Sequence, residues 1–128
     1  MIVTTFDRLQ CWQEATELAI EIYEATRDGN FRRDLPFRDQ LRRAAVSIAS
    51  NIAEGKERET VPELIRYLYI AKGSAGELWT QVHIAYRVGY LDEACYKRTR
   101  ERAEKVSHMI GGMIKTLKQR RDDREGRD

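Results

Sequence analysis

The sequence predicts an all-α chain: an antiparallel up-down four-helix bundle with left-handed packing, assembled as a homo-oligomer. Three observations carry this expectation. Apolar residues recur at alternating three- and four-residue steps along nearly the whole chain. Two prolines and eight glycines fall mainly where helices should start or stop, with no alternating β-branched runs or Asn-Gly turns between them. The third helical segment is apolar on more faces than an isolated bundle can cover.

The first helix is expected over about Asp7 to Thr26, with the stripe Leu9, Trp12, Thr16, Ala19, Tyr23 and Thr26, and Ala15, Leu18 and Ile22 beside it. Arg27-Asp28-Gly29-Asn30 ends it. Pro36, tolerated in a first turn, opens the second helix, whose stripe is Phe37, Leu41, Ala44, Ala45, Ile48 and Ile52, with Gly55 as its C-terminal stop. Thr60-Val61-Pro62-Glu63 is a capping box, so the third helix begins at Val61 and runs to about Val88, before Gly89-Tyr90. Asp92 caps the fourth, which turns Cys95, Thr99, Ala103, Val106, Ile110, Met113 and Leu117 inward. The segment KQRRDDREGRD that follows has no apolar residue, and such a segment cannot offset its ordering entropy. The domain reading is therefore a bundle over 1–118 and a charged, disordered tail over 119–128. Short connections imply antiparallel neighbours.

A chain of 128 residues fits one domain. Its 23 Lys+Arg against 21 Asp+Glu leave a net charge of only +2, so a nucleic-acid role must rest on where the basic residues lie. No run of 18 apolar residues and no basic segment followed by an apolar stretch is present. A cytoplasmic location without membrane contact is the expectation. Cys11 and Cys95 form no CxxC pair and read as thiols rather than a bridge. There is no P-loop and no GxGxxG. Di-iron bundles use Glu-x-x-His, but the residues three before His83 and His108 are Thr80 and Lys105. The reading is a non-enzymatic protein with no catalytic site, metal, cofactor or small-molecule substrate.

Three rows of the third helix look buried. Leu64, Leu68, Ala71, Ala75, Leu78, Val82 and Ala85 form its core row. On one flank Tyr69, Trp79, His83 and Tyr86 are candidates for a subunit interface; alternatively the aromatics lie over the edge of their own core. On the other flank Ser74, Glu77 and Gln81 face a matching row of the second helix, Ser47, Asn51 and Glu54. Polar groups beside a core are costly unless paired, so these six form a candidate interhelical network. Read chemically, Glu54 and Glu77 are a carboxylate pair, but no nucleophile or base accompanies them.

Basic residues cluster twice. Arg32, Arg33, Arg38, Arg42 and Arg43, with Arg27, lead from the first loop into the second helix; Lys118, Arg120 and Arg121, with Lys115, Arg124 and Arg127, lie at the C-terminus. Both are candidate nucleic-acid surfaces, and the acidic residues interleaved with them fit a solvated mixed-charge surface equally well. In a ring of subunits a modest patch is multiplied by the copy number.

The stretches QLRRAAVSIASNIAEGKER (40–58) and LIRYLYIAKGSAGELWTQVHIAYRVGY (64–90), preceded by FDRLQCWQEATELAIEIYEAT (6–26), resemble the bacterial four-helix-bundle family of proteins encoded in intervening sequences of 23S ribosomal RNA genes. Its most specific elements here are Arg43-Ala44-Ala45, Ser47-Ile48, Asn51 to Gly55, and the Gly73-Ser74, Glu77-Leu78, Gln81 spacing. The resemblance implies a cyclic homo-oligomer, a pentamer, without established enzymatic activity. The family is more distantly similar to the accessory variability determinant of diversity-generating retroelements, which implies RNA or DNA, and a reverse transcriptase, as partners. A protein-interaction adaptor with no nucleic-acid role is the alternative.

Overall fold

The computed structural model describes residues 5–126, apart from the side chain of Phe6. The outer ends of the expected bundle and tail, with Arg127, lie outside the described residues. Four helices are present: α1 (Thr5–Ala25), α2 (Leu35–Lys56), α3 (Val61–Arg87) and α4 (Glu93–Glu125), with a short 3₁₀ turn over Gly29–Arg32. There is no strand among the described residues. The helices close a ring in chain order: α1 packs on α2, α2 on α3, α3 on α4 and α4 on α1, with no diagonal pair in contact.

The helix ends follow from their capping residues. Asp34, Thr60 and Asp92 each accept a hydrogen bond from the backbone N–H three residues on, at 3.4, 3.3 and 2.8 Å, satisfying amides that have no partner inside the helix. Pro36 and Pro62 sit in first turns. Gly29 and Gly89 adopt φ of +70° and +85° in the connections, a region open to glycine.

Gly55 has a different role from the expected stop. It lies inside α2 and is buried, and a Cβ there would approach Leu64 Cδ1 to 3.0 Å and Tyr67 Cβ to 3.2 Å. The missing side chain lets α3 close onto the end of α2.

The core takes Leu41, Ala44, Ala45, Ile48 and Ile52 from α2, the whole expected row of α3, and Thr99, Ala103, Val106, Ile110, Met113 and Leu117 from α4, joined by Tyr96 and Ile114. α1 departs from its expected stripe. Cys11, Ala15, Leu18, Ile22 and Thr26 are buried, while Leu9, Trp12 and Tyr23 stand 46, 38 and 44% exposed. Both rows of α1 are apolar; the ring covers only the one facing inward.

α4 also runs further than its apolar stripe. Residues 119–125 of the expected disordered tail are helical. Extending an established helix by Gln, Arg and Glu costs little compared with nucleating one. Arg120, Arg121 and Arg124 line a cavity with Val61 and Pro62 at the start of α3, and Arg121 pairs with Asp122 at 3.5 Å.

The loop between α1 and α2 is anchored by Phe31, fully buried. It stacks near Phe37 (centroids 6.1 Å) and meets the edge of Tyr90 (5.1 Å). Phe31→Ala is expected to cost about 3–5 kcal/mol, visible as a lower urea midpoint at unchanged m-value; a shift below about 1 kcal/mol would show that the loop does not depend on this ring.

Candidate functional site

The six polar residues expected to pair between α2 and α3 do so at one point. Ser47 Oγ and Ser74 Oγ lie 2.9 Å apart across the seam. Asn51 turns back along α2, its Nδ2 donating to Ser47 O (2.8 Å) and Ser47 Oγ (3.0 Å). The two carboxylates have separate partners: Glu54 pairs with Arg58, and Glu77 accepts from Gln81 Nε2 at 3.2 Å. Gln81 is buried, and its Oε1 has no hydrogen-bond partner among the described residues. The seam is thus a hydrogen-bonded α2–α3 contact, with no shared site built from Glu54 and Glu77.

The aromatic flank of α3 is covered from within the chain. Trp79 Nε1 donates to Glu104 Oε1 at 3.1 Å, and the Arg100 guanidinium lies 4.3 Å from the Trp79 ring centroid. His83 Nδ1 is 3.0 Å from the Tyr96 hydroxyl, and Tyr86 stacks on Tyr96 with centroids 4.2 Å apart and rings 7° from parallel. Arg100 also bonds to that hydroxyl. Three of the four interface candidates therefore lie half-buried against α4, where Trp79 and His83 each keep a ring nitrogen bonded and Tyr86 stacks at the rim of the core. Tyr69 remains 45% exposed, with Lys118 Nζ 4.8 Å from its ring centroid.

The two basic clusters lie at opposite ends of α3. Asp34, beside Arg32 and Arg33, accepts a hydrogen bond from Tyr90 just beyond the end of α3 (2.9 Å), which raises the Tyr90 hydroxyl pKa above its ordinary range. Arg120 and Arg121 instead line the cavity at the start of α3. The structure does not bring the clusters together. Arg32, Arg33 and Arg43 are exposed; Arg38 pairs with Asp39 at 3.2 Å. Arg42 Nε donates to Thr26 Oγ1 at 2.9 Å, and its guanidinium lies 4.4 Å from the Tyr23 ring centroid.

The family model for the 23S rRNA-intervening sequence protein matches residues 7–112. The chain belongs to that family. A crystal structure of a protein with unknown function from the S23 ribosomal protein family of Bacteroides thetaiotaomicron superposes with a TM-score of 0.80 at 19% identity, covering 85% of this chain and 98% of that one. At that identity the likeness concerns the fold. No curated protein matches the chain. The matched range includes the 40–58 and 64–90 stretches.

Within this member of the family, sequence reasoning missed the partners that α4 supplies. Tyr96, Arg100 and Glu104 recur at four-residue steps, a signal for one helix face, but their register against Trp79 and His83 is tertiary. Arg102 was equally hidden: it donates from Nη1 to Glu14 at 2.7 Å and from Nε to Glu21 at 2.8 Å, tying α4 to α1. Burial lowers its pKa, yet the charges and hydrogen bonds of Glu21 and Glu14 bring it above the ordinary value. None of the described helices is long and apolar enough to cross a membrane, and the described residues bring no three His, Cys, Asp or Glu together for a metal.

Cys11 and Cys95 are free thiols. Burial, and secondarily the Glu14 charge, pushes Cys11 from 9.0 up to about 12. The folded state holds that proton after the unfolded chain has released it, so this contribution is present below 9.0 and lost as pH rises towards 12. Iodoacetamide at about pH 8 is expected to modify Cys95 alone in the folded protein, and Cys11 only after denaturation. The Cys11→Ala variant should lose less further stability over the alkaline interval than the parent; equal losses would assign the alkaline transition to other groups.

Proposed function

We propose that this protein is a non-enzymatic, homo-oligomeric four-helix bundle of left-handed up-down topology, which holds RNA or DNA as a ring-like scaffold, five copies to the ring. The observation that carries the assembly is the outward face of α3: Tyr69, Ile70 and Ile84 are 42–45% exposed, and Val88, just past its end, is 58% exposed. Large apolar side chains exposed in pairs towards both ends of one helix mark contact surface, and a closed ring gives every copy the same covered face. This moves the interface from Trp79, His83 and Tyr86 to the outer residues of the same helix, with Tyr69 common to both.

The nucleic-acid half is supported by the exposed Arg32, Arg33 and Arg43, which enter no ion pair among the described residues. Repeated around a ring, such a group gains avidity with no additional interaction per subunit. A reverse transcriptase partner remains a proposal by likeness of fold. The adaptor reading differs in one respect: the α3 face would meet a different protein.

Sedimentation equilibrium is expected to give a multiple of the chain mass, and Ile70→Arg with Ile84→Arg to return a folded monomer. A monomeric parent would favour the adaptor. Gel shift of structured RNA and duplex DNA is expected to be strongest at low salt, and replacing Arg32, Arg33 and Arg43 by Gln should reduce the duplex salt slope by about 0.9 for each phosphate no longer neutralised. Absence of retardation at low salt would remove the nucleic-acid half.

A further inference from the structure

The exposed row of α1 does not stand alone. Across the α1–α2 seam Ala53 joins Leu9 and Trp12, and Val46, 41% exposed, joins Tyr23, so an apolar strip runs from Leu9 and Trp12 to Tyr23 by way of the half-buried Ala19. Each end opens into a cavity. One, of about 310 Å³, is lined by Trp12 with Arg8 and Lys56; the other, of about 460 Å³, by Tyr23 with Arg42 and Arg43.

The same pairing therefore recurs at both ends of the strip: one aromatic ring beside two cations. Of the carboxylates at these cavities, Glu57 lies at the first and Asp39 at the second, and Asp39 is engaged by Arg38. Among the described residues, Arg8, Lys56 and Arg43 enter no ion pair, and Arg8 Nε is buried with no hydrogen-bond acceptor. Two cations without a carboxylate partner at one cavity, Arg8 and Lys56, favour an anion that supplies acceptors there. Eleven residues of helix separate the two rings, about 16 Å at 1.5 Å per residue. Between the rings the strip passes the half-buried Thr16 and Ala19 of α1, which carry no charge.

We infer that the α1–α2 seam binds single-stranded nucleic acid, with bases stacked on Trp12 and on the Tyr23–Arg42 pair, and phosphates held by Arg8 and Lys56 at one end and Arg43 at the other. Alternating π-faces and cations along a groove are what an unpaired strand needs. A duplex keeps its base faces stacked on one another and can use only the cations. The inference rests on the nucleic-acid reading above and narrows it to an unpaired strand and to one face, away from the outer surface of α3.

Trp12 and Trp79 are the two tryptophans, so Trp79→Phe leaves Trp12 as a reporter inside the proposed track. Titrating that variant with a 12-residue oligouridine is expected to quench Trp12 fluorescence; a parallel oligothymidine titration separates RNA from DNA, and a 12-base-pair duplex serves as the control. In the parent background, Trp12→Leu, which keeps an apolar side chain at the seam, should weaken single-strand binding roughly 5- to 150-fold, and Trp12→Phe should restore most of it. Arg43→Gln should lower the salt slope by about 0.7. Unquenched fluorescence, or single-strand affinity unmoved by Trp12→Leu, would overturn the inference while leaving the scaffold reading intact if duplex or structured RNA is still retarded; loss of all retardation would remove both. A Trp12→Leu variant that changes oligomeric mass would overturn it in favour of a second copy covering the seam.

Discussion

Each helix of this bundle touches only two neighbours, and that limit decides which apolar residues are covered. A helix in a ring of four can hide one inward stripe and part of each flank. In helix α3 the core row faces inward, the serine flank meets α2, and Trp79, His83 and Tyr86 are covered by Tyr96, Arg100 and Glu104 of α4, which leaves Tyr69, Ile70 and Ile84 outside. Helix α1 has two apolar rows and one inward face, so Leu9, Trp12 and Tyr23 are left outside.

The same limit separates what the sequence reveals from what it hides. The ends of α3 were legible because Thr60, Pro62 and Gly89 act through local chemistry that needs no neighbour. The core rows of α2 and α4 were legible because largely polar residues mark their edges, and that of α3 because it is the middle of three rows that look buried. The row of α1 was not, since Leu9-Trp12-Thr16-Ala19-Tyr23 and Cys11-Ala15-Leu18-Ile22 satisfy the same period and only packing chooses between them. Trp79, His83 and Tyr86 were recognised as a face needing cover, but the partner depended on how α4 is registered against α3, which no repeat within either helix encodes. Glu54 and Glu77 illustrate the reverse: adjacent rows suggested a shared site, and each carboxylate found a nearer partner on its own side.

Charge is distributed with a similar division of labour. Arg102 spends both guanidinium faces on Glu14 and Glu21, and Lys105 adds a 3.3 Å contact to Glu14, so this α1–α4 side is closed by ion pairs among partly buried groups. The α1–α2 side has no ion pair between its helices among the described residues; Arg42 ties α2 to Tyr23 of α1 and to Thr26 just past it, while Arg8, Lys56 and Arg43 line cavities. A nearly neutral chain thereby has one side joined by ion pairs and another where Arg8, Lys56 and Arg43 enter none among the described residues, which net charge alone conceals.

The buried Phe31 has a consequence beyond stability. Because its ring is wedged against Phe37 and Tyr90, and Asp34 is held by the Tyr90 hydroxyl, the segment bearing Arg32 and Arg33 is fixed to the end of the bundle instead of hanging from it as a floppy connector. Those two cations are displayed from a preorganised platform, so a polyanion that reaches them does not have to freeze the loop as it binds, and less of the attraction is consumed in ordering the protein.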